Sequence, residues 1–598
     1  MNRVVERLMN NVIVRRNWVN SLNRTTSQCL HFSQVVKQVT DNYESNEKGL
    51  DFVNLNDDFR NAIKNVTKNY RTMNIKEVIT TMDTLHKSLN NNGQLDAVNL
   101  KSIEGFEYMC KVILKNARTL NTYNTIHVLH MLLSFNVSPN SVVVQTLLQL
   151  ISVSVNKLTV GQIMLLHTML QEIQESPMTR ALLRASFLAL EQQALIELSI
   201  ESTNLVKVLR FCSVIKHFKT TRHIINLIDK SNKCLNPKYI VDIFYAIFTL
   251  PELCTSSKSL LIKINKVLEY DAHILTFQEI ETLLHYISVK CANSKMDFYN
   301  QQVIDTLCKV VLNRQPTIIE SMLIIKHLNK MRYSNIDLLN HILENCLKDK
   351  NIFERCSDTQ IVNLIKALVI ANYKLHNWKI VEKMLLDRVV LMECSLHVTA
   401  SMAVCLLSLD CYCPEFLNKV FTFYNLCNYT EEKRTMLIMF KLHWYLKVIY
   451  PQYQGAMLDK NKLNKIIVEH KSNNMPHLRE SLEEAVGASK YVKNNLITKI
   501  GESVDHAIVM QQDGSFLNIQ NSDITFAEEL DLFSGCSKIL FFGYPKEAYC
   551  INTKNLLLTV KMSLEAIETS TGFYSFVINP FLWKNFSSNE RIKHLQED

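Results

Sequence analysis

The chain has 598 residues, too many for one hydrophobic core, and a formal net charge of +9. Only 11 Gly and 10 Pro occur against 47% apolar residues, a composition poor in turn formers that predicts a mostly α fold. The 16 Cys are scattered, which excludes a dense secreted disulfide framework, and no apolar run approaches the roughly 18 residues of a membrane span.

Residues 1–40 carry Arg3, Arg7, Arg15, Arg16, Arg24 and Lys37 against one acid, Glu6, with Val4, Leu8 and Val12 one helical turn apart. An Arg-rich, acid-poor amphipathic segment predicts mitochondrial transit and a matrix location. Its net +5 leaves about +4 of the formal +9 on the rest of the chain, a weak overall field for nucleic acid. Residues 41–72, rich in Asn, Asp and Lys, read as a polar linker.

Over 73–425 an apolar quartet at i, i+3, i+4 and i+7 recurs, opening at Ile126, Ile163, Leu205, Ile240, Ile280, Ser321, Ile361 and Ala400. That spacing puts four side chains on one helical face. Of the 32 positions 29 are apolar, all but His130, His167 and Ser321, where composition alone would give about 15. Second apolar stretches follow, such as 141–156, 256–270, 299–312 and 376–391. A period of about 39 with two helices per repeat predicts an α-solenoid, each hairpin covering its neighbour's apolar side.

Residues 426–505 read as an irregular helical connector in which the quartets stop. From 506 to 598 the pattern changes class. His506–Met510, Ser515–Ile519 and Lys538–Phe542 read as strands separated by the turn signals Asp513-Gly514 and Ser534-Gly535. A helix over 553–569, a strand from Phe573 to Ile578 and a short last helix complete a small C-terminal α/β domain.

Within that domain the order is KILFF ending at Phe542, then Gly543, Tyr544 and Pro545, then Thr553 and Lys554 leading to Leu557 and Leu558. Gly572, the strand FYSFVI, Asn579-Pro580, Trp583, and Arg591, Lys593 and Leu595 follow. In order and spacing this resembles the RAP domain, an RNA-binding domain abundant in apicomplexan proteins and present in mitochondrial and chloroplast RNA-handling proteins. The resemblance implies a restriction-endonuclease-like fold behind a helical-repeat array, similar to the heptatricopeptide and octotricopeptide RNA binders that read single strands.

Where the family places acids before the Gly, this chain has Phe541 and Phe542, and Tyr544 is inserted between Gly and Pro. Without a carboxylate pair and a Lys in that strand, the expectation is binding without phosphodiester cleavage, with no catalytic residue, cofactor or metal. No phosphate-binding Gly loop, GxSxG or HExxH occurs. His127 with His130, and Cys405 with Cys411 and Cys413, lack the paired spacing of a structural zinc site.

Candidate RNA contacts in the C-terminal domain are Lys546, Tyr549, Lys554, Lys561, Trp583, Arg591 and Lys593, which combine phosphate-binding charge with stacking surface. Residues 538–598 hold seven basic and six acidic residues, so the charge there is nearly balanced. In the array, the polar residue just before each quartet varies as a base-reading position would, and Gln162, Asn204 and Gln360 are the candidates.

The expected function is a mitochondrial, non-catalytic RNA-binding protein acting in organellar RNA stability, processing, translation or ribosome assembly. Its expected partners are organellar mRNA or rRNA and mitochondrial ribosomal proteins, without membrane insertion. Two alternatives stay open. One is a protein-binding solenoid scaffold, including a structural component of the mitochondrial ribosome, and the other is a metal-dependent endoribonuclease using Asp513, Asp523 or Glu547.

Overall fold

The computed structural model describes residues 68, 70–92, 105–173, 176–197, 204–231, 235–293, 295–349, 351–426, 433–463, 475–520 and 523–597. The segment 1–40 expected to direct transit, and all but the last residues of the 41–72 linker, lie outside the described residues. The fold is mostly helical, with a small four-stranded mixed sheet near the C-terminus. Two compact units divide it, residues 1–234 with 242–260 and residues 235–241 with 261–598.

The first unit contains α1 (Ile75–Asn92), α2 (Phe106–Asn116), α3 (Thr122–Ser134), α4 (Val142–Ser154), α5 (Val160–Glu172), α6 (Pro177–Glu197), α7 (Asn204–Val214) and α8 (Phe218–Lys230). Consecutive helices pair, and like members of the pairs stack: α1, α3 and α5 form one row, and α2, α4, α6 and α8 the other. In sequence, α9 (Ile240–Thr249) and α10 (Thr255–Asp271) fall across the division between units.

The second unit continues with α11 (Phe277–Ala292), α12 (Gln301–Asn313), α13 (Ile318–Met331), α14 (Ile336–Lys348), α15 (Asp358–Ala371), α16 (Trp378–Leu391), α17 (Leu396–Ser408), α18 (Pro414–Leu426) and α19 (Lys433–Val448). Here α11, α13, α15, α17 and α19 pack successively in one row, and α12, α14, α16 and α18 in the other. Across both units every quartet side chain is buried except His130, Leu133 and Val404. The quartets are therefore the core faces of the first helix of each pair, including the buried Ser321 and His167.

Helix starts are set by capping. Thr159, Thr276, Thr317 and Ser357 accept from the N–H three residues on, and Gln162, Glu279, Glu320 and Gln360 reach back to the N-cap N–H. Helix ends show how a chain with 11 glycines stops its helices. Asn136, Lys216, Gln315, Arg332, Asn372 and Asp410 take positive φ, the left-handed conformation usually left to glycine. Among the described residues no helix is long and apolar enough to cross a membrane.

The sheet runs β1 (Lys493–Ile497), β2 (Ser503–Met510), β3 (Ser537–Phe542) and β4 (Tyr574–Val577), in that spatial order. The β1/β2 and β2/β3 pairs are antiparallel, and β3/β4 is parallel through the crossover helix α21, reached after α20 (Leu478–Ala485) and spanning Leu558–Thr571. The last helix, α22 (Ser588–Glu597), packs on α20. Leu482, Val486, Val492, Ile508 and Phe541 form the domain's core, with Leu478, Ile578 and Trp583 beside it.

Three expectations change. The first strand lies at 493–497, inside the stretch expected to be an irregular helical connector, because KNNLI carries charge and Asn residues with only its last two residues buried. Ser515–Ile519 is no strand. After the turn at Gly514 its only bridge is Met510 with Phe516, and the chain leaves the sheet. The first-helix row also runs on past 425, since α19 packs on α17, with Thr435 bonded to His397 and Met439 and Leu442 buried.

Candidate nucleic-acid interface

The C-terminal domain is docked on the first-helix row of its own unit, where α21 packs against α15, α17 and α19. The Ser334 N–H donates to Asn552 Oδ1 at 3.0 Å, and Asn552 Nδ2 donates back to Ser334 O at 2.8 Å. Beside them the Ile551 N–H donates to Arg332 O at 2.9 Å. Deeper in the contact, the Tyr445 and Ser563 hydroxyls bond at 2.7 Å, and Lys441 Nζ pairs with Glu502. Burial works against the Lys441 ammonium, but Glu502 and the Tyr445 phenol outweigh it and hold its pKa above the usual lysine value.

A cavity of about 300 Å³ opens where the row meets the start of α21, a size at the lower end of small-molecule sites. Four successive first helices line it: Asn329 of α13, Lys366, Val369 and Ile370 of α15, Ser401, Val404 and Cys405 of α17, and Ile438 and Lys441 of α19. Leu557 and Thr559 at the start of α21 close it. The walls are apolar, and the charge comes from Lys366, since Lys441 is paired with Glu502.

Lys366 stands five residues after its quartet opener Ile361, and the exposed Lys326 stands five after Ser321. Burial, and then the nearby Lys326 charge, push the Lys330 ammonium below the usual lysine value. The Glu281 carboxylate, paired with His327, acts in the opposite sense and offsets part of this charge.

The structure distributes the expected site residues differently from the sequence reading. Tyr549 and Trp583 are 2% exposed: the Tyr549 hydroxyl donates to Ile578 O at 3.0 Å, and Trp583 Nε1 donates to Pro476 O at 2.8 Å. Both serve the core and present no ring face to a base. Arg591 lies over the Trp583 ring and donates from Nε to Trp583 O at 3.4 Å. Gln162 and Gln360 are the N3 members of capping boxes, with their side-chain oxygens bonded to the Thr159 and Ser357 N–H groups. Asn204 begins α7.

Lys561 and Lys593 are exposed on α21 and α22. Lys546 and Lys554 come together over the Phe581 ring, 5.5 and 4.2 Å from its centroid. Burial pushes the Lys554 ammonium down, and the Lys546 charge adds to that. The chain thus presents two basic pairs, Lys326 with Lys330 and Lys546 with Lys554, neither of which net charge reveals.

Asp505, on β2, was not a sequence candidate. It is buried and accepts from the Gly543 N–H at 2.6 Å. With Glu502 and Lys441 it supplies two carboxylates and a lysine near the end of β3, yet Glu502 is spent on Lys441 and Asp505 on the backbone. Asp513 sits in an exposed turn, where it accepts from the Ser515 N–H and hydroxyl, and Asp523 and Glu547 are exposed. Among the described residues no three His, Cys, Asp or Glu side chains come together to hold a metal ion.

No family model matches the chain, and no curated protein matches it in sequence.

Proposed function

We propose that this is a non-catalytic RNA-binding protein of mitochondria, in which stacked helical hairpins form an α-solenoid with a period of about 39 residues and engage single-stranded RNA. In this reading residues 506–598, with β1 added, are a RAP-like domain of restriction-endonuclease-like ancestry. The protein acts on organellar mRNA or rRNA in stability, processing, translation or ribosome assembly, alongside mitochondrial ribosomal proteins.

The observation that carries the reading is the run of exposed lysines on one helix row, Lys326 and Lys330 of α13 and Lys366 of α15, the last of which lines an apolar-walled cavity. Spaced cations next to apolar slots suit a single strand, whose phosphates and unstacked bases alternate along its length. The test is fluorescence anisotropy of the full chain with single-stranded and duplex RNA across a salt series. The expected result is preference for the single strand and an affinity that falls with salt; no binding to either at low salt overturns the reading.

A second reading, a protein-binding scaffold, is favoured by the exposed Leu391 of α16 and Phe423 and Leu426 of α18 on the opposite row. It predicts stable protein partners and no crosslinked RNA.

A further inference from the structure

We propose that the cavity between the first-helix row and α21 holds one nucleotide of the bound strand, with its phosphate on Lys366 and the start of α21 and its base among Val369, Ile370, Val404 and Ile438. This rests on the RNA-binding reading and assigns its ligand chemistry to one place.

The phosphate end is cationic in two ways. Lys366 Nζ is on an exposed side chain that lines the cavity. The cavity is also bounded by Leu557, the N-cap of the 14-residue α21, and by Thr559 in its first turn, and no side chain caps that helix. Uncapped N–H groups at a helix start carry partial positive charge and bond phosphate oxygens. Lys441 belongs to the floor of the cavity, since its partner Glu502 already neutralises it.

The base end is apolar, and Asn329 at its edge is held in place. Asn329 Nδ2 donates to Asn363 O at 2.7 Å, which fixes the amide's orientation. A cation and an apolar slab in one small cavity match a nucleotide better than inorganic phosphate, which has no use for the slab, or an apolar peptide side chain, which has no use for Lys366.

The test uses the full chain with a 20-nucleotide oligouridylate, uridine 5′-monophosphate and uridine. Lys366→Ala removes one charge in the cavity, and Lys383→Ala removes one on the exposed side of α16. The expected result is that Lys366→Ala weakens oligouridylate binding several-fold and lowers the slope of log K against log salt by about 0.7, one single-strand phosphate, while Lys383→Ala does neither. Ser401→Phe, which fills the cavity, weakens binding without changing the slope, and circular dichroism reports that each variant is folded. The monophosphate binds in preference to uridine, and Lys366→Ala removes the preference.

Equal effects of the two lysine variants, or unaltered oligouridylate binding in Lys366→Ala and Ser401→Phe, overturn the cavity assignment and leave the RNA reading standing. Binding of the monophosphate through Lys366 with no oligonucleotide binding keeps the cavity and removes the RNA reading. Binding of neither removes both.

Discussion

Asn552, in the loop before α21, and Ser334, in the loop after α13, exchange two hydrogen bonds across 218 residues of sequence. A side-chain amide here imitates a strand neighbour, satisfying both the N–H and the C=O of one backbone residue. It fixes the depth at which the C-terminal domain sits on the first-helix row. That depth in turn places Leu557 and Thr559 at the edge of the cavity.

Asn552→Ala strands both Ser334 groups, at a cost of about 1–3 kcal/mol. Hydrogen exchange at the Ser334 amide and across 549–557 should accelerate, while the sheet amides keep their protection. Unchanged protection of the Ser334 amide would contradict the docking described here.

Gln360 was a sequence candidate for base contact and is, in the structure, the reciprocal half of the Ser357 cap. Ser357→Ala should cost about 1 kcal/mol in thermal unfolding, and Gln360→Ala a smaller amount. Neither change should move RNA affinity. A loss of affinity in Gln360→Ala without a loss of stability would return that residue to the interface.

The neutral ring of His167 is part of the first unit's core. Ser186 gives its proton to Leu183 O at 2.8 Å, so His167 Nδ1–H donates to Ser186 Oγ at 3.2 Å, while Nε2 is buried without a partner. Burial, with the His217 charge adding to it, pushes the ring down to about 4. Because the folded pKa lies below the unfolded value of about 6.5, between the two the unfolded chain takes a proton that the fold refuses. The stabilisation is whole above about 6.5 and is lost as pH falls toward 4. His167→Phe should flatten the decline in melting temperature over that window, and an equally steep decline in the variant would remove this group as a cause.

Gly543 is required by close approach. A Cβ there would stand 2.9 Å from Met475 Cβ and 3.3 Å from Asp505 Oδ2, beside the Asp505 bond to the Gly543 N–H. Gly543→Ala should destabilise the C-terminal domain by about 1–3 kcal/mol, read from denaturant unfolding. Unaltered unfolding would show that Met475 gives way freely.

The quartets were legible because a buried helical face repeats its chemistry every turn, and the structure buries 29 of the 32 positions. The helix row beyond 425 was missed because Thr435 opens the next quartet in place of an aliphatic residue. Thr435 is nevertheless buried, its hydroxyl bonded with His397 Nδ1 at 3.1 Å. Strand β1 was missed because an edge strand needs no continuous apolar alternation.

The candidate site was less legible. Gln162, Glu279, Glu320 and Gln360 before the quartets vary because a capping box takes Gln or Glu alike, and Thr125 and Thr399 bond back to the Asn121 and Ser395 carbonyls, so local helix geometry imitates a recognition code. Lys326 and Lys366 stand in matching register and could have been read from that spacing alone. Asn329, Ile438 and Thr559 meet only through tertiary packing, which no local pattern encodes.

Ultraviolet crosslinking of the tagged protein in its own cells, followed by sequencing of the recovered RNA, tests the central claim most directly. The account predicts discrete footprints on mitochondrial transcripts that are reduced by Lys366→Ala and retained by Lys383→Ala. Recovery of protein partners with no RNA above background would contradict it.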